Sequence, residues 1–226
     1  MSHSIVLLSG GLDSAVTLAI ALGEGRATAL TFDYGQRHDR EIMSSRSIAD
    51  RYGIDHVVIP LDLSAFRSAL IRGDIEVPDG LEGREGIPPT YVPARNIIFL
   101  AMALGLAESW GADRIHIGAN AVDYSGYPDC RPEFIEAFQR VADTGTRGGV
   151  EGRGVRIVAP IIGLSKAEIV RRGHELGVPF ELTWSCYRGG ERPCGWCDSC
   201  LIRRRGFREA GLVDPLEHEG TRRPDD

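Results

Sequence analysis

Short apolar, β-branched runs alternate along the chain with segments whose apolar residues recur every three or four positions. Residues 5–8, 27–32, 56–59, 114–118 and 155–159 read as strands. Between them, residues 14–22 are predicted as an apolar helix. In the next helix Ile42, Ser45, Ile48, Ala49 and Tyr52 share one face. Residues 63–71 are predicted as a short helix and 94–110 as a long, mostly apolar one. Residues 132–144 open with proline in the first turn, where a missing N–H costs nothing. Ser165-Lys166-Ala167-Glu168 has capping-box spacing ahead of a helix to Leu176, and Gly177 is placed to end it. Residues 73–90 are rich in Gly, Pro and Glu and form a long loop, of the kind that serves as a lid or binding segment.

Strands alternating with helices predict an α/β fold, a five-stranded parallel sheet covered on both faces. Ligands of such sheets sit beyond the carboxyl ends of the strands. Three notable loops leave those ends, at residues 9–14, 33–38 and 120–130, and should converge on one crevice. We divide the chain into an α/β domain (1–180), a C-terminal cysteine-rich segment (181–212) and a polar tail (213–226).

Composition narrows the class. With 226 residues and 42% hydrophobic content, one globular domain with a small appendage is expected. A formal net charge of −6 provides no overall positive field for nucleic acid or anionic lipid. No apolar run approaches the roughly 20 residues of a membrane span, and no basic leader precedes the first strand. A soluble cytoplasmic protein is expected. Lys166 is the only lysine among 26 basic residues. A coding bias toward arginine explains this blandly, but the surviving ammonium marks a site worth testing.

The first loop carries the clearest chemistry. Ser9-Gly10-Gly11-Leu12-Asp13-Ser14 lies between a strand and a helix. Its glycines leave amides free to point at one anion, and the helix behind adds its positive end. The lysine of a Walker loop is missing. This SGGxDS pattern resembles the pyrophosphate loop of the adenine-nucleotide alpha-hydrolase-like ATP pyrophosphatases, a Rossmann-like superfamily. The resemblance implies that ATP is cleaved between its α and β phosphates. It places the nucleotide on Leu8, Ser9, Gly10, Gly11, Leu12, Asp13, Ser14, Ala15, Val16, Thr17 and Leu18. Asp13 would help hold Mg²⁺, since a bare carboxylate repels phosphate.

Four of the five cysteines crowd together as Cys186-x7-Cys194-x2-Cys197-x2-Cys200. In a reducing compartment such a cluster reads as metal ligation rather than disulfides. Four thiolates are what a closed, structural Zn²⁺ site needs; the alternative is a redox or sulfur-carrying pair. The adjacent Arg203-Arg204-Arg205 is read as the solvated face of a terminal helix rather than an RNA-binding stripe.

Further segments refine the resemblance: FDYGQRHDRE (32–41), TYVPARNIIFL (90–100), GANAVDYSGYPDCRPEF (118–134) and TWSCYRGGERPCGWCDSCLIRRRGF (183–207). With SGGLDS, this ordered set is similar to the 7-cyano-7-deazaguanine synthase family of queuosine and archaeosine biosynthesis, over residues 5–207. The resemblance implies a double reaction. ATP activates the carboxylate of 7-carboxy-7-deazaguanine and ammonia displaces the activated oxygen to give the amide. A second ATP activates the amide, and elimination leaves a nitrile. It also implies a homodimer. The chain has no room for a glutaminase domain, so ammonium is the expected nitrogen donor.

Arg37, Arg95 and Lys166 are candidates to balance phosphate or carboxylate charge; ordinary surface or helix-end positions are the alternative. In a first helical turn Lys166 opposes the helix dipole, which favours an external anion as its reason. His38 is a candidate proton acceptor for incoming ammonium. Tyr124, Tyr127 and Asp129 are candidates to stack on and hydrogen-bond the base. Cys130 invites a catalytic-thiol reading, but nitrile formation needs no thiol, so packing or substrate contact is expected. Competing functions are a tRNA-thiolating ATP pyrophosphatase, a non-catalytic ATP-sensing zinc module, and amidation that stops short of the nitrile.

Overall fold

The computed structural model describes residues 2–71, 73–80, 86–122 and 127–216. Five strands, β1 (His3–Leu7), β2 (Arg26–Asp33), β3 (His56–Pro60), β4 (Arg114–Ile117) and β5 (Arg156–Val158), form one sheet in the order β3-β2-β1-β4-β5. Every neighbouring pair is parallel. The helices are α1 (Leu12–Glu24), α2 (Arg40–Tyr52), α3 (Arg95–Trp110), α4 (Pro132–Gly145), α5 (Arg147–Val150), α6 (Lys166–Glu175) and α7 (Asp198–Ala210).

Alternation along β1 divides the core in two. Ile5 and Leu7 join Leu30, Phe32, Ile115 and Ile117 on one face, covered by Leu100, Ala103 and Leu104 of α3 and Phe138 of α4. Val6 and Leu8 turn to the opposite face, packed by Leu12, Val16 and Leu18 of α1, Ile48 of α2, Ile169 of α6 and Phe207 of α7. Ile5, Leu18, Ile115 and Ile169 are wholly buried. Each such side chain contributes roughly 1.5–3 kcal/mol.

One expectation at the level of elements is corrected. Residues 63–71 form turns rather than a helix. There Asp62 Oδ1 accepts from Ser64 N (2.9 Å) and Ser68 Oγ from Leu70 N (3.2 Å), while Ala69 N donates to Pro89 O (2.9 Å). Side chains and a distant carbonyl thus take the partners that a helical ladder would use. Conversely, α5 forms in a glycine-rich stretch because Thr146 Oγ1 caps it, accepting from Gly149 N.

The sheet order reverses at β1. The chain leaves β1 through α1 toward β2 on one side, while β4 pairs on the other. The crevice beyond β1 and β4 is therefore a topological switch point. There β4 gives way to Gly118, where a Cβ would lie 3.1 Å from backbone atoms of Asp13 and Ser14. Glycine lets the strand end against the start of α1.

Candidate active site

The loop between β1 and α1 is folded by its own hydroxyls. Ser14 Oγ donates to Gly11 O (2.9 Å) and accepts from Ser9 N (3.2 Å), while Gly11 N donates to Ser9 Oγ (3.3 Å). Gly10 has φ +86°, and a Cβ there would lie 2.2 Å from Glu41 O at the start of α2. Gly10 O in turn accepts from Trp184 N (2.9 Å). The loop is thus held by α2 on one side and by the cysteine-rich segment on the other.

Beside it opens a cavity of about 260 Å³. Leu8, Ser9, Gly11, Leu12, Asp13 and Ser14 line it. Of the other residues expected at the nucleotide, Gly10 turns the loop, whereas Ala15, Val16, Thr17 and Leu18 are buried beneath it in the core. Phe32, Tyr34, Phe99 and Tyr127 give the cavity an aromatic lining, with Phe32 and Phe99 stacked at 4.3 Å. Such a lining suits a planar base.

Lys166 reaches this cavity from the first turn of α6. The capping box forms: Ser165 Oγ accepts from Glu168 N, and Glu168 Oε2 accepts from Ser165 N at 2.8 Å. Asn120 Nδ2, from the loop after β4, donates to Leu164 O (2.5 Å) and ties this turn down. Lys166 Nζ then donates to both oxygens of Asp13, at 2.6 and 2.7 Å.

Arg95 stands at the start of α3, after Ala94 in the left-handed conformation (φ 56°). Its Nη1 donates to Tyr34 OH (3.2 Å), and among the described residues it makes no ion pair. Burial opposes its charge, but Tyr34, Tyr127 and Glu41 hold it protonated. The cavity thus contains a guanidinium that no carboxylate among the described residues contacts directly, with Glu41 acting on it from a distance.

The remaining candidates are distributed differently. Tyr127 lines the cavity, its OH 2.8 Å from Thr90 Oγ1 and hydrogen-bonded to Tyr187. Tyr124 lies outside the described residues. Asp129 is buried behind the wall, where its Oδ2 accepts from Asn96 N at 3.0 Å and caps α3. Arg37 points away from the cavity and donates from Nη1 to Ile75 O (3.2 Å). His38 is likewise outside the lining. It packs on Gly189, where a Cβ would lie 2.9 Å away, and burial lowers its pKa. Cys130 lines the cavity, but its sulfur accepts from Asn96 Nδ2 (3.3 Å), and burial, reinforced by Asp129, pushes the thiol up to about 11.

Cys186, Cys194, Cys197 and Cys200 do converge. Their sulfurs lie within 4.8 Å of one another, those of Cys194 and Cys200 3.9 Å apart. A tetrahedral zinc with Zn–S of about 2.3 Å needs sulfurs about 3.8 Å apart, so the four fit the ion. Cys194 N and Cys197 N each donate to a ligand sulfur at 3.4 Å, which favours thiolates. The segment is also a wall of the cavity, contributing Trp184, Ser185, Tyr187, Ser199, Ile202 and Arg203. Residues 77–80 strap it from outside, with Arg188 Nη2 donating to Val77 O (2.7 Å) and Asp79 Oδ1 (2.6 Å).

Arg203 departs from its expected solvated face. It is 5% exposed, and its guanidinium pairs with Asp214 at 2.7 and 2.9 Å while donating to Thr183 Oγ1 (2.7 Å). Arg204, one residue on, is exposed. Tyr34, Glu41, Trp184 and Arg203 are cavity residues that the sequence did not place in the site. All lie within the quoted segments, but nothing in their spacing along the chain signals a shared site.

The model of the family described as queuosine biosynthesis protein QueC matches residues 3–211. A 7-cyano-7-deazaguanine synthase from Thermoplasma acidophilum is 53% identical over 219 residues, spanning 96% of this chain and 92% of that protein. One from Acetivibrio thermocellus is 52% identical over 220 residues, spanning 96% and 98%. Among solved structures, NMN synthetase from Francisella tularensis aligns with a TM-score of 0.48 at 14% identity, over 94% of this chain and 87% of that one. Motifs, cavity and full-length similarity agree: the chain belongs to the QueC queuosine biosynthesis family.

Proposed function

We propose that this chain is an ATP-dependent ligase that converts 7-carboxy-7-deazaguanine and ammonium into 7-cyano-7-deazaguanine, through an activated carboxylate and then an activated amide. Full-length relationship to synthases of that name supports the reaction. The observation that carries it to this cavity is Arg95, a guanidinium in no direct ion pair among the described residues, set among aromatic side chains beside the glycine-rich loop. A planar base bearing a carboxylate matches that combination in both shape and charge.

In this reading the first-turn amides of α1, from Leu12 to Ser14, receive the phosphates of ATP, while those of Ser9 and Gly11 shape the loop. Asp13 would hold Mg²⁺, which neutralises phosphate charge. Lys166 shields Asp13 before the nucleotide arrives and turns to the phosphates afterwards. Arg95 orients the substrate carboxylate, and Tyr127 and the aromatic lining hold the base. Arg37 and His38 lie outside the lining and take no part in this reading. Zn²⁺ on the four cysteines is structural, since four protein ligands leave it no open position.

Thiolation chemistry is not favoured, because Cys130 is held as a neutral thiol and the other four cysteines converge on one point. A homodimer is supported by α3, which is apolar around its circumference and leaves Ile97 (45%) and Trp110 (41%) exposed. Among the described residues no helix is long and apolar enough to cross a membrane. The cytoplasm, where thiolates stay reduced, is the compartment this chemistry needs.

The test is to incubate the protein with ATP, Mg²⁺, ammonium and 7-carboxy-7-deazaguanine and to weigh the products. A nitrile with pyrophosphate release is expected. Unchanged substrate from protein that retains zinc and binds ATP would overturn the reading, and accumulation of the amide alone would limit it to the first half.

A further inference from the structure

Both halves of this reaction release protons from nitrogen, so the cavity needs a base. Among the described lining residues only Asp13 and Glu41 are carboxylates. Both oxygens of Asp13 are bound by Lys166. Cys130 accepts from Asn96 as a neutral thiol, Tyr34 OH accepts from Arg95, and His38 lies outside the lining. Glu41 differs from all of these. Glu41 lines the cavity, and its carboxyl makes no hydrogen bond or ion pair among the described residues, the Arg95 guanidinium acting on it only from a distance.

Its position is fixed by backbone. The carbonyl of Glu41 sits where a Cβ on Gly10 would be, 2.2 Å away, so the second residue of α2 is pinned against the phosphate loop. An acidic residue in a first helical turn commonly serves the helix itself, by capping or by its charge. Glu41 does not cap, since no N–H of α2 donates to its carboxyl, and it lines the cavity instead. Burial there raises its pKa, with Arg95 opposing. A carboxylate in that environment is a stronger proton acceptor than one in water.

Resting on the function proposed above, we propose that Glu41 is the catalytic base of this site. Ammonium first gives one proton to solvent, and as the lone pair of the resulting ammonia forms the C–N bond, the C–O bond to the departing AMP breaks. The Glu41 carboxylate takes one N–H proton, leaving the electron pair on the amide nitrogen. Once the amide oxygen has been adenylated with loss of pyrophosphate, its two N–H protons go to Glu41 in turn. The second leaves as the remaining C–O bond breaks, and its electron pair completes the C≡N bond. Between steps the acid returns its proton to solvent.

Glu41→Gln tests this, because it keeps the shape and removes the acceptor. Carboxylate activation needs no proton acceptor, so exchange of labelled pyrophosphate into ATP that depends on the deazaguanine should stay within about threefold of wild type, while nitrile formation falls about 100-fold or more. KM for the deazaguanine should be unchanged. Glu41→Asp retains a carboxylate one methylene back and should recover about tenfold of the loss. Loss of exchange in step with turnover, or a raised KM with kcat preserved, would assign Glu41 to binding and overturn the proposal. Full turnover of the Gln variant would do the same. Absence of exchange in the wild type would instead overturn the function on which the inference rests.

Discussion

Lys166 Nζ bridges both carboxylate oxygens of Asp13, at 2.6 and 2.7 Å, across 153 positions of sequence. The pair explains a helix-end lysine that the dipole of α6 disfavours. In the reaction proposed above, the ammonium would keep the carboxylate from repelling an incoming phosphate.

Lys166 should therefore not be replaceable by arginine. Its stem crosses Gly206 of α7, where a Cβ would lie 2.3 Å from Lys166 Cγ. A planar fork cannot follow that path to a single point. We expect Lys166→Arg and Lys166→Ala each to reduce kcat/KM for pyrophosphate release by about 10²–10³. Gly206→Ala should reproduce part of the loss by displacing the stem. Near-normal turnover of Lys166→Arg would remove the lysine from the mechanism.

Zinc removal should be felt at the nucleotide. Trp184, two residues before the first ligand, donates its N–H to Gly10 O at 2.9 Å, and its ring N–H to Cys186 O. Releasing the segment forfeits at least that neutral hydrogen bond, about 1 kcal/mol, hence roughly fivefold in ATP affinity. Titration of ATP into chelator-treated protein, with readdition of Zn²⁺ as the control, measures this. Unchanged affinity after confirmed zinc loss would show that the two sites are independent.

The parts of the molecule built on local rules were legible in the sequence. Periodicity predicted the five strands and the major helices, and the capping box at Ser165 and Glu168 forms as its spacing implies. The cysteines converge because three of their four ligands are local in the chain. Illegible were features decided by tertiary partners. Residues 63–71 have helical spacing but give their hydrogen bonds to side chains and to Pro89. Arg203 belongs to a run of three arginines, yet helical rotation turns it inward and Arg204 outward. Glu41 and Arg95 line one cavity only because α2 and α3 begin at the same end of the sheet.

Cys130 should resist alkylation at neutral pH. Burial raises its pKa to about 11, so between the ordinary thiol value near 8.5 and 11 it stays protonated where an unfolded chain would ionise. The folded state then binds more protons than the unfolded one, and this group's contribution to stability falls as pH rises through that window. Iodoacetamide labelling of native zinc-loaded protein, followed by mass mapping, should leave Cys130 unmodified at pH 7.5 and begin to reach it only above about pH 10. Cys130→Ala should retain activity. Rapid labelling at pH 7.5 would instead mark a thiolate, and with it a nucleophile.

Asp214 should matter more for folding than its place near the end of the chain implies. Its carboxylate is 4% exposed and accepts from Nε and Nη2 of Arg203, itself 6% exposed by side chain. The same guanidinium donates to Thr183 Oγ1 and Phe180 O, so one ion pair joins α7, the cysteine-rich segment and the chain after α7. A buried pair of this kind gains little over a well-packed apolar one, but leaving one charge alone is costly. Asp214→Ala strands the guanidinium and should cost roughly 3–5 kcal/mol in urea unfolding of the zinc-loaded protein. Adding Arg203→Met should then recover much of that loss, although activity should not return, because Arg203 also lines the cavity. If the double variant is as unstable as Asp214→Ala alone, the penalty lies in lost packing rather than in an uncompensated charge.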